Sequence, residues 1–309
     1  MAHSDHALLP HLPFVGVKQS ISYLALRVGA GFIGLLTERG AQRLGSVLGL
    51  LWHRFDRSRR MMARRHMARV LGSDENAEAA ARDVLKSYGR YWAEALWIRA
   101  SRIPELLEGT TVEGLEMVIA ARDEGNGIVF ALPHMGNWEI AAPLAVREGI
   151  PVVAVAEDLP NRRITDWFTR MRAECGIEIV LATGSAHVMR SLEAALSANK
   201  AVALPSDRDL KGRGVEVNFF GEKTTMPAGP ATLAIRNSAP LIPVGSFFDG
   251  DGHHVVVHPR IPIPEQGSRV EKVAAMTQDL ASHFEKFIRE APEQWHLVVA
   301  NWPSDTEDS

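Results

Sequence analysis

One cysteine among 309 residues removes several chemistries at once. With Cys175 alone, no intrachain disulfide can form. Neither a thiolate-rich zinc site nor a two-cysteine redox motif can be assembled, and a reducing, cytosolic compartment fits best. The Gly-x-Ser-x-Gly elbow of serine hydrolases is missing, since Gly245-Ser-Phe and Gly184-Ser-Ala do not complete it. The dinucleotide-binding glycine fingerprint is missing as well. The first residues lack a basic region leading into a compact apolar core and a small-residue cleavage site, so no secretory signal is evident. An uninterrupted apolar span is also lacking. Residues 28–52 have the length to cross a bilayer, but Glu38, Arg39 and Arg43 sit in their middle, where each charge is costly. The stretch is read as lying on a membrane rather than crossing it.

What is present is ordinary globular composition, 46% apolar and 23% charged, in a chain long enough to bury a sizeable core. The net charge of −3 hides an asymmetry. Residues 1–72 hold eleven Lys and Arg against three acids (Asp5, Glu38, Asp56), a surplus of eight that leaves the rest of the chain at −11. A basic amino-terminal section on an acidic body points to an anionic partner at one end. Within it, Phe32, Leu35 and Leu36 recur at helical spacing, which predicts at least two amphipathic helices between residues 13 and 71. Arg54, Arg57, Arg59, Arg60, Arg64, Arg65 and Arg69 then crowd one short segment, interleaved with Met61, Met62 and Met67. Such a run can be a solvated face, a nucleic-acid surface or a lipid-binding helix. Next to an apolar amphipathic helix it fits anionic lipid best, at roughly 1 kcal/mol of attraction per surface cation, and no nucleic-acid partner is expected.

Ser73-Asp-Glu reads as a helix start, with the helix running to about Trp97. The texture then changes. Apolar runs rich in β-branched residues at 128–132, 152–156, 177–181, 201–204, 241–246 and 254–257 predict strands, with helical patterns at 161–175 and 186–197 between them. This alternation predicts an α/β fold: a single domain with a largely parallel central sheet flanked by helices, preceded by amphipathic membrane-surface helices. The expected divisions are 1–72 for the membrane-associating helices, 73–303 for the α/β core and 304–309 for a disordered tail.

Open α/β sheets bind ligands beyond the carboxyl ends of their strands. Two such junctions carry chemistry: His134-Met-Gly-Asn-Trp-Glu139 after the strand ending at Leu132, and Ser206-Asp-Arg-Asp209 after the strand at 201–204. A histidine there suits general-base work if a carboxylate holds the ring and stabilises its cation. Glu139 could turn back to it through Gly136, and Asp207 could reach it from the neighbouring strand. The plainer alternative is a His134 that merely caps the turn. No second histidine lies at ligand spacing, so no metal is expected. His253 and His254 adjoin in what reads as an exposed turn.

These junctions, together with three later segments of the chain, resemble the bacterial lysophospholipid acyltransferase superfamily, in the branch of lipid A acyltransferases and actinobacterial phosphatidylinositol mannoside acyltransferases. The second group is the nearer one. The resemblance is carried by Ala131-Leu-Pro-His-Met-Gly-Asn-Trp-Glu139, Asp207-Arg-Asp-Leu210, Gly214-Val-Glu-Val-Asn-Phe-Phe-Gly221, Met226-Pro-Ala-Gly-Pro-Ala231, and Pro292-Glu-Gln-Trp295 with Trp302. The family's usual signature ends in Asp, where this chain has Glu139.

The resemblance implies His134 as general base, with Glu139 and Asp207 as the active-site acids. It implies acyl-CoA contacts at His134, Arg172 and Arg213, and a rim that includes Glu157; Arg208 is a further candidate for coenzyme A phosphates. Acyl-CoA is then a co-substrate, no other cofactor is expected, and the acceptor is a phosphatidylinositol mannoside or related glycolipid, with palmitoyl-CoA the preferred donor. The protein is expected to sit peripherally on the cytoplasmic face of the cell membrane. Phe219-Phe220 and Pro227-Ala-Gly-Pro230 could line an acyl groove or serve as core and turn residues, and Trp295 and Trp302 read as packing residues.

Overall fold

The computed structural model describes residues 14–183, 185–209 and 212–306. Residues 1–13 of the amino-terminal section and 307–309 of the expected tail lie outside the described residues. Four helices come first: α1 (Phe14–Gly34), α2 (Glu38–Phe55), α3 (Arg57–Leu71) and α4 (Ala77–Trp97). Their boundaries have local causes. The Thr37 and Asp56 side chains accept the N–H groups of Gly40 and Arg59 to open α2 and α3, and Gly72, in the left-handed conformation, closes α3. α4 begins later than Ser73 suggested, because the Ser73 hydroxyl accepts the Glu75 N–H in the preceding turn. α2 and α4 meet backbone to backbone. A Cβ on Gly49 would lie 2.0 Å from the Leu85 carbonyl oxygen, and one on Gly89 2.1 Å from that of Gly45, so glycine is required at both positions. Among the described residues, no helix is long and apolar enough to cross a membrane.

After the short α5 (Ile103–Glu108), strands and helices alternate as β1 (Thr110–Glu113), α6 (Leu115–Asp123), β2 (Ile128–Leu132), α7 (Ala141–Arg147), β3 (Val152–Ala156), α8 (Arg162–Glu174), β4 (Ile177–Leu181), α9 (Ser185–Ser197) and β5 (Ala201–Pro205). A hairpin of β6 (Val215–Phe219) and β7 (Glu222–Met226) comes next, then α10 (Gly229–Asn237), β8 (Leu241–Asp249), β9 (Gly252–Val257) and α11 (Arg269–Glu290). The central sheet has the order β1-β9-β8-β2-β5-β3-β4, with every neighbouring pair parallel except β8 and β9. β2 is buried along its whole length, as expected of a central strand covered on both faces. Alternate residues divide the core in two. Val129, Ala131, Val202 and Leu204 pack beneath Leu196, Leu233, Phe284 and Phe287, whereas Phe130, Val152, Ile177 and Val255 look toward Val118, Leu144 and Trp97.

Two expectations change here. The arginine run is largely engaged within the chain: Arg59 pairs with Asp56, Arg60 with Glu78, Arg64 with Asp74, Arg69 with Glu222 and Asp305, and Arg65 donates to the Asp305 carbonyl. Ser304 and Asp305, assigned to a disordered tail, are instead held in a short helix, Pro303–Asp305. The Asp305 carboxylate accepts the Asn301 and Trp302 N–H groups and reaches back to His66 and Arg69 of α3. A polar terminus looks solvated when its ionic partners lie far back in the sequence.

Candidate active site

Strand register sets the site. Leu132 of β2 lies opposite Pro205 of the adjacent parallel β5, so two residues further along each chain His134 and Asp207 come side by side. Asp207 Oδ1 is 2.6 Å from His134 Nδ1, while its Oδ2 accepts the His134 backbone N–H at 3.0 Å and the Trp295 indole N–H at 2.8 Å. A carboxylate can only accept, so Nδ1 carries the proton and Nε2 is the basic nitrogen. Burial pulls the imidazole pKa down, but the charge and hydrogen bond of Asp207 outweigh it and hold the pKa above the usual histidine value. Burial likewise raises the Asp207 pKa, and the His134 charge with the hydrogen bonds from His134 and Trp295 brings it below the usual carboxylate value. The Asp207 side chain is fully buried, whereas that of His134 is 32% exposed, leaving a face of the ring for a reactant.

The turn is clamped from behind. Gly136 has φ +54°, and a Cβ there would lie 2.1 Å from the Ser246 carbonyl oxygen. Its N–H donates to the Gln294 carbonyl, and the His134 carbonyl accepts the His296 N–H. The Trp138 ring stands edge-on to the imidazole at 5.2 Å and stacks on Tyr91 at 3.9 Å.

Of the two acids left open by the sequence, Asp207 takes the imidazole and Glu139 does not. Past Gly136 the chain winds through Asn137 toward α7, which carries Glu139 to Arg172 of α8 at 2.9 and 2.5 Å, with the Tyr91 hydroxyl donating at 3.4 Å. Burial would raise the Glu139 pKa, and Arg172 holds it below the usual range. The Arg172 guanidinium is therefore already matched by a buried carboxylate, although it still lines the cavity that opens at His134. Arg208 and Glu157 line that cavity too. Arg213 is exposed on the loop leading into β6 and is not part of the lining. Phe219 is buried core rather than groove, stacked on Trp302.

Several contributors escaped the sequence reading. His253, expected in an exposed turn, is 3% exposed in β9 and donates to Glu94 of α4 at 2.9 Å. The Glu94 carboxylate also accepts from Arg90 at 2.8 Å and from the Asn137 amide at 2.7 Å, tying the turn after His134 to α4. Asn137 and His253 were visible in the sequence, but nothing local to either points to a glutamate so far away. Trp295, read as packing, holds Asp207. His296 lines the cavity with its pKa pushed down to about 3 by burial and by the neighbouring His134, and it meets the Ser87 hydroxyl at 2.9 Å.

From His134 an elongated apolar cavity of about 450 Å³ runs across the sheet. Every strand of the central sheet lines it, for example Val112, Val255, Val244, Phe130, Ala203, Ala154 and Ile179. At about 4.8 Å per strand spacing this row spans roughly 29 Å.

A histidine–carboxylate pair beside such a cavity is compatible with acyl transfer, and the family to which the chain belongs is one of acyltransferases. The chain belongs to the bacterial lipid A biosynthesis acyltransferase family, whose model matches residues 17–304. It is 38% identical over 248 residues to a phosphatidylinositol mannoside acyltransferase of Mycolicibacterium smegmatis, covering 79% of this chain and 80% of that one. It is 36% identical over 252 residues to the Mycobacterium tuberculosis protein of the same name, covering 80% and 78%. A lipid A biosynthesis acyltransferase of Haemophilus influenzae is 27% identical over 212 residues, covering 63% and 60%.

Proposed function

We propose that the enzyme transfers a fatty acyl chain from acyl-CoA to a mannose hydroxyl of a phosphatidylinositol mannoside, with His134 as general base. The observation that carries this reading is the His134–Asp207 pair set beside an apolar cavity that crosses the whole sheet. The acceptor follows the names of the two mycobacterial relatives. A palmitoyl donor suits a cavity of this length and apolar lining, within the range of ligand pockets generally.

The chemistry follows from the protonation states. His134 Nε2 removes the proton of the sugar hydroxyl as its oxygen attacks the thioester carbonyl carbon. The tetrahedral intermediate collapses with cleavage of the carbon–sulfur bond, and the imidazolium returns the proton to the departing thiolate. Asp207 stabilises the imidazolium between these steps, and no acyl-enzyme forms. General-base catalysis of this kind contributes about 10² to 10⁴-fold. Glu139 and Arg172 fix α8 against the site, while Arg208, at the lining, suits a coenzyme A phosphate.

The setting is a membrane surface on its cytoplasmic face. α1 presents Leu24, Val28 and Phe32 at 63%, 64% and 56% exposure along one stripe, Leu35 in the turn after it is 86% exposed, and α2 adds Val47, Leu51 and Phe55. An apolar stripe of this extent on a water-facing helix suits the interfacial region of a bilayer.

The test measures coenzyme A release from palmitoyl-CoA, with and without a phosphatidylinositol mannoside acceptor, in the parent and in His134→Ala, with identification of the lipid product. Acceptor-dependent release and an acylated product, both lost in His134→Ala, are expected. Release without an acylated lipid would point to hydrolysis or another acceptor, and undiminished activity in His134→Ala would remove the base.

A further inference from the structure

A second cleft, of about 350 Å³, lies between α1 and α8. Arg27, Arg99 and Arg170 line it, together with Gly31, Trp167 and Glu174. Among the described residues, none of these three has a carboxylate within salt-bridge distance, and Arg102 beside Arg99 donates to backbone carbonyls instead. Glu174 is the acid in the lining, and it acts on Arg99 from beyond that distance.

Arg99 and Arg27 are held in place by neighbouring groups. Arg99 donates to the carbonyls of Leu96 and Ile98 at 2.8 and 2.6 Å and to that of Ala30 at 3.4 Å, which fixes its guanidinium against the end of α1. The Trp167 ring lies 5.9 Å from its central carbon, and Arg27 rests on the Tyr23 hydroxyl at 3.2 Å. Burial, with the charges of Arg102 and Arg27, lowers the Arg99 pKa and outweighs the opposite pull of Glu174.

The cleft flanks the apolar stripe. Arg27 and Gly31 each follow a stripe residue, Leu24 and Val28, by three positions, so they share the edge of its face. From these juxtaposed features we infer that the cleft takes the phosphate of an anionic phospholipid headgroup whose acyl chains lie against the α1 stripe. This rests on the proposed membrane-surface setting and gives it a specific ligand. α8 is the shared wall: Phe168 and Arg172 face the acyl cavity, while Trp167 and Arg170 line this cleft. A lipid seated here would dock the helix that carries the partner of Glu139.

The experiment measures binding of the full chain to phosphatidylcholine vesicles with and without phosphatidylglycerol. It compares the parent with three double variants: Arg27→Gln/Arg170→Gln in the cleft, Arg54→Gln/Arg57→Gln at exposed arginines elsewhere, and Val28→Ser/Phe32→Ser in the stripe. The cleft pair is expected to weaken binding to the anionic vesicles on the order of tenfold to thirtyfold while leaving binding to neutral vesicles unchanged. The control pair should cost far less, because surface charge alone would treat the two pairs alike.

Equal losses in the two arginine pairs would overturn the site. The stripe pair should reduce binding to both vesicle types. A parent that binds neither type would remove the membrane reading itself, which separates the two failures. Calorimetric titration with inorganic phosphate and with a short-chain phosphatidylglycerol distinguishes the source. Saturable binding of the lipid alone supports the inference, and equal binding of inorganic phosphate would replace the lipid with a free anion.

Discussion

The two faces of the central sheet are built from the same strands and do opposite things. On one face Val129, Ala131, Val202 and Leu204 meet Leu196, Phe284 and Phe287, which are buried completely. On the other, Phe130, Leu132, Ala154 and Ala203 look into a cavity covered by α6, α7 and α8, where Ala141, Ala142 and Ala145 continue the short side chains. Because successive strand residues point to opposite faces, one strand can fill a close-packed core and wall a channel at once. Packing and cavity lining are thereby separated residue by residue along a strand, so a substitution among the packed strand residues should report on stability and one in the lining on whatever the cavity holds.

The largest effect belongs to the chemistry at the end of the open face. His134→Ala should lower acceptor-dependent turnover by about 10² to 10⁴-fold without a comparable loss of stability. Asp207→Asn should reduce turnover by a similar factor and also change its pH dependence. A general base works when neutral, so parent kcat/KM should fall as the pH drops through the raised His134 pKa. Removing the Asp207 charge leaves burial and Arg208, both of which lower that pKa, so the acidic limb should move to lower pH beneath a reduced plateau. A pH–rate profile that keeps its limb in place would separate Asp207 from the base.

On the packed face, Phe284→Ala should cost about 3–5 kcal/mol in denaturant unfolding, with no change in preference among acyl donors. On the cavity side, where α4 meets β9, Glu94→Ala should cost a similar amount, about 3–5 kcal/mol, by stranding Arg90 and His253 beside a buried void. It should also lower turnover, because the Asn137 amide loses its acceptor and the turn after His134 loses its tether. A stable Glu94→Ala enzyme with parental activity would show that the network is dispensable.

Local pattern made the strands legible: β2, β3 and β4 have the bounds that their apolar runs suggested, and the alternation with helices gave the parallel sheet. His134 was legible because it follows such a strand. What the pattern could not carry was partnership across the chain. Choosing Asp207 over Glu139 needed the register of β2 against β5, which no single segment encodes. The Glu94–His253 pair joins α4 to β9, and Asp305 reaches back to α3, so His253 read alone suggested an exposed turn and Asp305 a tail. The β6–β7 hairpin was missed because Val215–Phe219 alternates with exposed polar residues and Glu222–Met226 begins with two charged ones, leaving little apolar run to detect.

The smallest effect on stability should give the sharpest readout of the open face. Ala203 lies on β5 near the middle of the channel, and Val202 beside it faces the packed core. Ala203→Leu places its added carbons where the lining already leaves room, so the unfolding free energy should change by less than about 1 kcal/mol, whereas Val202→Phe forces added volume into full packing and should cost about 1–3 kcal/mol. For Ala203→Leu the change appears in the donor profile: kcat/KM for palmitoyl-CoA should fall while that for a shorter acyl-CoA is retained. If the longer donor is used as well as before, the acyl chain does not pass Ala203, and the channel runs along another part of the lining.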